Sequence, residues 1–240
     1  MEKSNEQLQN ELDNLKKIVF RIMDFNFPDL DANIKHYNFI TDEVVRRQLE
    51  LDFLKMMQTP ASNFNEYCHY SFFQIENLLN YYYTIRFNSK EELTKYFTFG
   101  NDPSEKVKER VSEIPYSSKW AKFAQEFLIE EKEVFDKFTN SKVLKKKSTP
   151  LNYDIQKIAY VRNSSIHRNT IDIDKYENDT YKKYLEIKSK QSKSQDEWKI
   201  YNEGNKIEFK KSESFSLVKK RTAEFLKIME IEIRKHQKEE

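Results

Sequence analysis

The scarcity of glycine and proline is the feature that most restricts how this chain can fold. Only 2 glycines and 5 prolines occur among 240 residues. Sandwiches and barrels need many tight turns, which depend on these two residue types. Their scarcity therefore favours long helices, and the chain is long enough for one substantial domain or two small ones. An all-α fold is expected.

The charge balance and the single cysteine exclude several classes of protein. A formal net charge of +2 gives no global basic field, so any contact with nucleic acid has to be local. Cys68 stands alone, which excludes a disulfide framework or a cysteine metal site within one chain. The sequence shows neither a signal peptide nor an apolar run of about 18 residues. A soluble, cytoplasmic protein is expected.

The first 27 residues predict an amphipathic helix that is separate from the main domain. Its apolar residues recur at steps of four, three, four and three: Leu8, Leu12, Leu15, Val19 and Ile22. This spacing resembles a coiled-coil seam, although about two and a half heptads fit equally well a helix that packs on its own domain. Pro28 ends the pattern, and residues 41–240 are expected to form one helical domain.

Apolar periodicity predicts the helices of that domain. The strongest pattern covers residues 66–87, where Phe72, Ile75 and Leu79 belong to one apolar stripe. A helix is expected to begin at Thr149-Pro150, with a capping hydroxyl followed by proline in the first turn. The other predicted helices cover residues 41–57, 90–97, 103–114, 119–138 and 214–236.

Three segments of the domain are expected not to be helical. Residues 142–148, KVLKKKS, are interpreted as a basic linker, and the lysine-rich residues 182–199 as a mobile or weakly ordered surface. Residues 198–209, WKIYNEGNKIEF, alternate large and polar side chains on both sides of an Asn-Glu-Gly-Asn sequence. This pattern predicts a β-hairpin insertion at about 197–210.

The helix that begins near Pro150 carries an arginine on its apolar stripe. Leu151, Ile155 and Ile158 recur at helical spacing, and Arg162 occupies the next position. A guanidinium keeps its proton and needs anionic or carbonyl partners. Either a carboxylate such as Glu76, at the border of its own helix's apolar surface, satisfies Arg162, or the position opens onto a cleft that receives an anion.

A histidine follows Arg162 after five residues. This separation is about 140° around an ideal helix, so the two side chains converge only if the helix loosens between them or if both face a groove across its end. Asn163 precedes His167 by four residues and is placed to orient it. The helix dipole favours a charged His167, whereas Arg162 and Arg168 oppose it. Its titration is therefore expected near neutrality, as general acid–base catalysis requires.

The segment RNSSIH, residues 162–167, resembles the R-x(4–6)-H signature of the HEPN superfamily. The ribonucleases of that superfamily carry this motif near the end of one helix in an α-helical bundle. The resemblance is close over the motif and looser over the helical layout from about Thr41 to the C-terminus. It implies a HEPN-like bundle, to which the first helix and the hairpin are additions.

The resemblance also implies an activity, which is metal-independent RNA cleavage at the interface of a homodimer. Each chain would contribute His167 for proton transfer and Arg162 to neutralise charge that develops on the phosphate. Asn163 would orient the histidine, with Arg168 and Glu76 as supporting residues. Such proteins are toxins, anti-phage effectors or RNA-processing factors. The implied partners are RNA, a second copy of the chain, and an antitoxin or another defence protein.

Two other functions remain open on the sequence alone. One is a non-catalytic HEPN module that binds RNA or a partner such as a nucleotidyltransferase antitoxin. The other is a helical oligomerisation protein built around the first helix. No cofactor is expected, since two distant glycines cannot form a phosphate-binding loop and no metal-ligand spacing occurs. His69, which lies among aromatic residues, is interpreted as a structural core histidine.

Overall fold

A computed structural model describes residues 37–97, 110–136, 141–166 and 170–237 of the chain. The expected predominance of helix is confirmed within these ranges, although they also contain one antiparallel hairpin. The predicted helix of residues 1–27 lies outside them. No helix of the described ranges has the length and apolar character needed to cross a membrane.

The α-helices of the described ranges are α1 Glu43–Gln58, α2 Phe64–Arg86, α3 Lys90–Phe97, α4 Tyr116–Phe127, α5 Pro150–Ile166, α6 Thr170–Ile187, α7 Gln195–Ser212 and α8 Phe215–Gln237.

The predicted starts of two helices are confirmed, with different capping chemistry. Asp42 caps α1, since its Oδ1 accepts hydrogen bonds from the backbone N–H groups of Val44 and Val45 at 2.9 and 3.0 Å. Helix α5 begins at Pro150 as expected. However, the Thr149 hydroxyl is buried without a hydrogen-bond partner among the described residues, so the predicted side-chain cap is wrong. The Thr149 carbonyl instead accepts from the N–H of Asn152 at 3.1 Å.

The hairpin expected at 197–210 is wrong, because this segment belongs to helix α7. Ser194 and Glu197 form a capping box at its start: the N–H of Glu197 donates to Ser194 Oγ at 3.2 Å, and the N–H of Ser194 donates to Glu197 Oε2 at 2.9 Å. The segment 182–199 is also more ordered than expected. Helix α6 continues to Ile187, and α7 begins at Gln195.

Gly204, which suggested a turn, lies in the middle of α7 and is buried. A Cβ built there would lie 2.2 Å from Tyr184 Cγ and 2.3 Å from Tyr184 Cβ. The glycine therefore permits close packing of α7 against α6, where any larger residue would collide with the base of an aromatic side chain. The alternation of large and polar residues that suggested a strand is therefore compatible with a packed helix.

The observed hairpin comprises β1 (Ile129–Asp136) and β2 (Ser141–Ser148). Two predictions for this region are therefore wrong: α4 ends at Phe127 and does not continue to residue 138, and the segment expected to be a basic linker is a strand. The register pairs Ile129 with Ser148 at one end and Asp136 with Ser141 at the other. Between these ends the register pairs Glu130 with Lys147 and Glu131 with Lys146, while Lys132 is opposite Lys145.

The described residues divide into two compact units, of which the first comprises residues 50–72 and 157–220. Phe64 and Phe215 meet edge to face at 5.2 Å, and Tyr67 adds a second edge contact to Phe215 at 4.9 Å. A buried carboxylate connects three helices of this unit. Glu177 of α6 accepts from Lys210 Nζ of α7 at 2.9 Å and from the Tyr160 hydroxyl of α5 at 3.1 Å.

The second unit comprises the described parts of residues 37–49, 73–156 and 221–237. Its core contains Phe123 and Phe225, both fully buried, whose ring centroids lie 5.3 Å apart. Polar contacts fix the start of α5 within this unit. Asn152 Oδ1 accepts from the Trp120 indole at 2.8 Å, and Asp154 accepts from Arg221 Nε at 2.7 Å.

Replacing Gly204 with alanine should destabilise the protein, although the same change in an open helix is favourable by about 1 kcal/mol. The collision with Tyr184 exceeds that gain, because overpacking a core typically costs about 1–3 kcal/mol. Urea denaturation should therefore show a net loss of unfolding free energy. Asn202→Ala, at an exposed position of the same helix, is the matched control and should change stability by no more than about 0.5 kcal/mol. A Gly204→Ala variant as stable as the wild type would contradict the close packing.

Candidate functional site

The last two turns of α5 hold the arginine of the motif. The apolar stripe of this helix is confirmed, with Ile155 and Ile158 both fully buried. The stripe continues to Val161, also fully buried, so that Arg162 lies beside it and is partly exposed. The Ser164 hydroxyl donates to the Val161 carbonyl at 3.0 Å, which satisfies one acceptor in the last turn.

Two neutral neighbours orient the Arg162 side chain. Its guanidinium carbon lies 5.0 Å from the centroid of the Phe72 ring, within range of a cation–π contact of about 0.5–2 kcal/mol. Its Nη1 donates to Asn163 Oδ1 at 3.0 Å. Phe72 is buried in α2, so the ring provides a fixed surface against which the guanidinium packs. The position of Arg162 is thus set by its sequence neighbour and by another helix.

The structure brings together only some of the residues that the sequence singled out. Arg162 and Asn163 are in direct contact. His167 and Arg168 lie outside the described residues and follow immediately after Ile166, the last residue of α5. Asn163 was expected to orient His167, and its observed hydrogen bond is to Arg162. That bond assigns Asn163 a role in holding the arginine.

Glu76, the candidate partner for the arginine, belongs to the second unit, whereas Arg162 belongs to the first. In its own unit Glu76 acts on Lys119 and Tyr116. Burial lowers the pKa of Lys119, and the negative charge of Glu76 opposes that effect. Burial and the same carboxylate raise the pKa of the Tyr116 hydroxyl. Lys119 Nζ also donates to Asn80 Oδ1 at 2.5 Å.

His69, predicted to be a structural core histidine, is a candidate site residue in the structure. It lies on α2, three residues before Phe72, and is partly exposed rather than enclosed in the core. Residues three apart on a helix are neighbours on its surface, so His69 lies near Phe72, the ring on which the Arg162 guanidinium packs. Burial and the positive charge of Arg162 lower the pKa of His69, while Glu66 raises it. The helical spacing of His69 and Phe72 was visible in the sequence, but their proximity to Arg162 was not.

Arg162 provides a fixed positive charge that acts on the imidazole of His69, whose pKa is lowered. Such an imidazole is neutral near pH 7 and can accept a proton or a hydrogen bond. A guanidinium at this position can neutralise an anion, above all a planar or tetrahedral oxyanion. Within the described ranges, no group of three or more His, Cys, Asp or Glu side chains is arranged to hold a metal ion.

Comparisons with known proteins identify no relative. No family model matches the chain, and neither a curated protein nor a solved structure matches it.

The pKa of His69 should respond in opposite directions to two substitutions. Arg162→Gln removes a positive charge that lowers it, so this pKa should rise toward its usual value. Glu66→Gln removes a negative charge that raises it, so the pKa should fall further. NMR titration of the histidine ring protons measures both shifts, with His69→Gln to assign the signal. A His69 pKa that does not change in Arg162→Gln would mean that the two side chains do not interact.

Proposed function

We propose that this protein is a metal-independent endoribonuclease of the HEPN type, with a toxin or antiviral defence role. The observation that carries the proposal is the placement of Arg162, the first residue of the RNSSIH motif. It lies near the end of a helix, is partly exposed, and is held by Asn163 and Phe72. Burial and, after it, the positive charge of Arg162 lower the pKa of His69, and a guanidinium of this kind suits a phosphate group.

The reaction follows from the chemistry of the motif. A base removes the proton from a ribose 2′-hydroxyl, and the 2′-oxygen attacks the adjacent phosphorus. The bond from phosphorus to the 5′-oxygen breaks, and an acid protonates that leaving oxygen. His167 serves as one of these proton-transfer groups, and Arg162 neutralises the charge that develops on the phosphate oxygens. A second copy of the chain supplies the other histidine, so the proposed active protein is a homodimer.

Replacing Arg162 or His167 with alanine should abolish or severely reduce RNA cleavage while the fold is kept. Arg162→Ala loses at least a cation–π contact of about 0.5–2 kcal/mol and a hydrogen bond to a neutral acceptor, and the variant should still fold. An arginine that braced a buried carboxylate would cost about 3–5 kcal/mol. His167→Ala should lose about 100- to 10,000-fold in rate.

These variants are measured by thermal melting beside cleavage of a mixed RNA pool. Arg47→Ala is the control, because Arg47 is an exposed arginine whose ion pair with Glu43 is on the surface. It should melt and cleave like the wild type. Full cleavage by His167→Ala would eliminate the catalytic proposal. Retained RNA binding in that case would indicate the non-catalytic HEPN module instead.

Cleavage should persist in the presence of a chelator, because the proposed chemistry uses only protein groups. The products should end in a 2′,3′-cyclic phosphate or in its hydrolysis product, a 3′-phosphate, since the 2′-oxygen is the nucleophile. An RNA with a 2′-deoxy sugar at the scissile position should resist cleavage. Analysis of the product ends by mass spectrometry tests this, and activity that disappears with chelator and returns with magnesium would contradict it.

A further inference from the structure

Four aromatic rings on α6 and α7 form a continuous row in the first unit. Tyr181 stacks on Tyr184 with ring centroids 5.8 Å apart, and Tyr184 contacts Tyr201 at 5.6 Å. Tyr201 meets Trp198 edge to face at 5.4 Å. Tyr184 is fully buried in the middle of the row, whereas Trp198 at one end is 49% exposed. The row therefore connects the packed helix interface with the surface.

Lysine side chains lie over the rings of this row. Lys193 Nζ is 4.5 Å from the centroid of Tyr201 and 5.4 Å from that of Trp198. Lys188 lies 5.3 Å from Tyr184, and Lys211 lies 4.9 Å from Tyr181. These four rings and three lysines are called the aromatic–lysine cluster below. It combines stacking surfaces with positive charge along two packed helices.

The charge around the exposed end of the cluster is locally positive. Residues 181–206 contain seven lysines and four acidic residues, in a chain whose overall net charge is only +2. Some of these lysines are paired, as in Lys188 with Glu208 and Lys190 with Glu197. Lys193 instead donates to the backbone carbonyl of Lys190 and lies over two rings. Its ammonium charge therefore remains close to the exposed tryptophan.

We propose that the exposed end of the aromatic–lysine cluster binds single-stranded RNA, with a base stacked on Trp198 and Lys193 beside the adjacent phosphate. This surface deepens the proposed ribonuclease function, on which it rests, by supplying substrate contacts apart from the Arg162 motif. Aromatic rings interleaved with cations suit unpaired nucleotides, because stacking requires an accessible base face. Double-stranded RNA keeps its bases stacked inside the helix and offers mainly phosphate, sugar and groove contacts.

The two tryptophans of the chain make this proposal directly measurable. Trp120 is 5% exposed in the second unit, and Trp198 is the exposed one. Titration with a 2′-O-methyl oligoribonucleotide, which resists cleavage, should quench the tryptophan emission of the wild type. The quenching should disappear in Trp198→Phe, in which Trp120 is the remaining tryptophan. Persistent quenching in Trp198→Phe, or none in the wild type, would overturn the stacking assignment.

Affinity for a labelled oligonucleotide gives the second measurement. Trp198→Ala should weaken binding by about tenfold, which corresponds to the loss of one base–aromatic stack. Tyr153→Ala is the control, because Tyr153 is 56% exposed but belongs to the second unit. It should bind as tightly as the wild type. Equal affinity in Trp198→Ala would refute the proposal. Equally tight binding of duplex RNA that does not quench Trp198 would also refute it and would indicate phosphate contacts in place of base stacking.

Failure of the RNA-binding surface can be distinguished from failure of the ribonuclease proposal. Binding of the cleavage-resistant oligonucleotide tests the cluster, whereas loss of cleavage in Arg162→Ala tests the motif. If Trp198→Ala binds normally while Arg162→Ala fails to cleave, the cluster proposal fails and the ribonuclease proposal stands. If Trp198→Ala binds weakly while Arg162→Ala cleaves normally, the RNA surface stands and the assignment of the active site fails.

Discussion

A single buried carboxylate joins three helices of the first unit. Glu177 is 7% exposed, and a buried charge of this kind is tolerated only when it is fully paired. It accepts from Lys210 on α7 and from Tyr160 on α5, so one residue of α6 fixes both neighbouring helices. Removing either partner leaves the carboxylate less well satisfied, which is far more costly than losing a surface ion pair. The pairing of Glu177 therefore constrains where α5 and α7 can lie against α6.

The Arg162 motif and the aromatic–lysine cluster both depend on how α5 and α7 pack against α6. Tyr160 precedes Arg162 by two residues, so fixing the tyrosine also fixes the turn of α5 from which the arginine projects. Phe72 then orients the guanidinium from α2. Glu177 also contacts α7 through Lys210, and the packing of α6 on α7 is tight enough to require a glycine at position 204. The same packing aligns Tyr184 with Tyr201 and carries the aromatic row outward to Trp198.

Pattern alone located several elements and failed at others for identifiable reasons. Capping and periodicity predicted α1, α2, α3 and the start of α5, because these signals are local and lie within a few residues of one another. The Asn-Glu-Gly-Asn sequence was misread as a turn, since a glycine also serves close helix packing and only the partner, Tyr184, distinguishes the two uses. The hairpin of β1 and β2 was not predicted because its pairing joins two segments, each of which alone resembles a helix or a linker.

Local sequence patterns alone predicted that this chain is predominantly helical and that Arg162 and Asn163 lie near the end of one helix, with His167 following in the sequence. Helical periodicity and short motifs are properties of neighbouring residues, so they can be read without a partner. The tertiary contacts show in addition that Arg162 packs on Phe72, that burial and the Arg162 charge lower the pKa of His69, and that Glu76 acts on Lys119 within the second unit. They also show that Trp198 is exposed at the end of a row of rings. Such contacts join residues far apart in sequence, and no local pattern encodes which helix faces which.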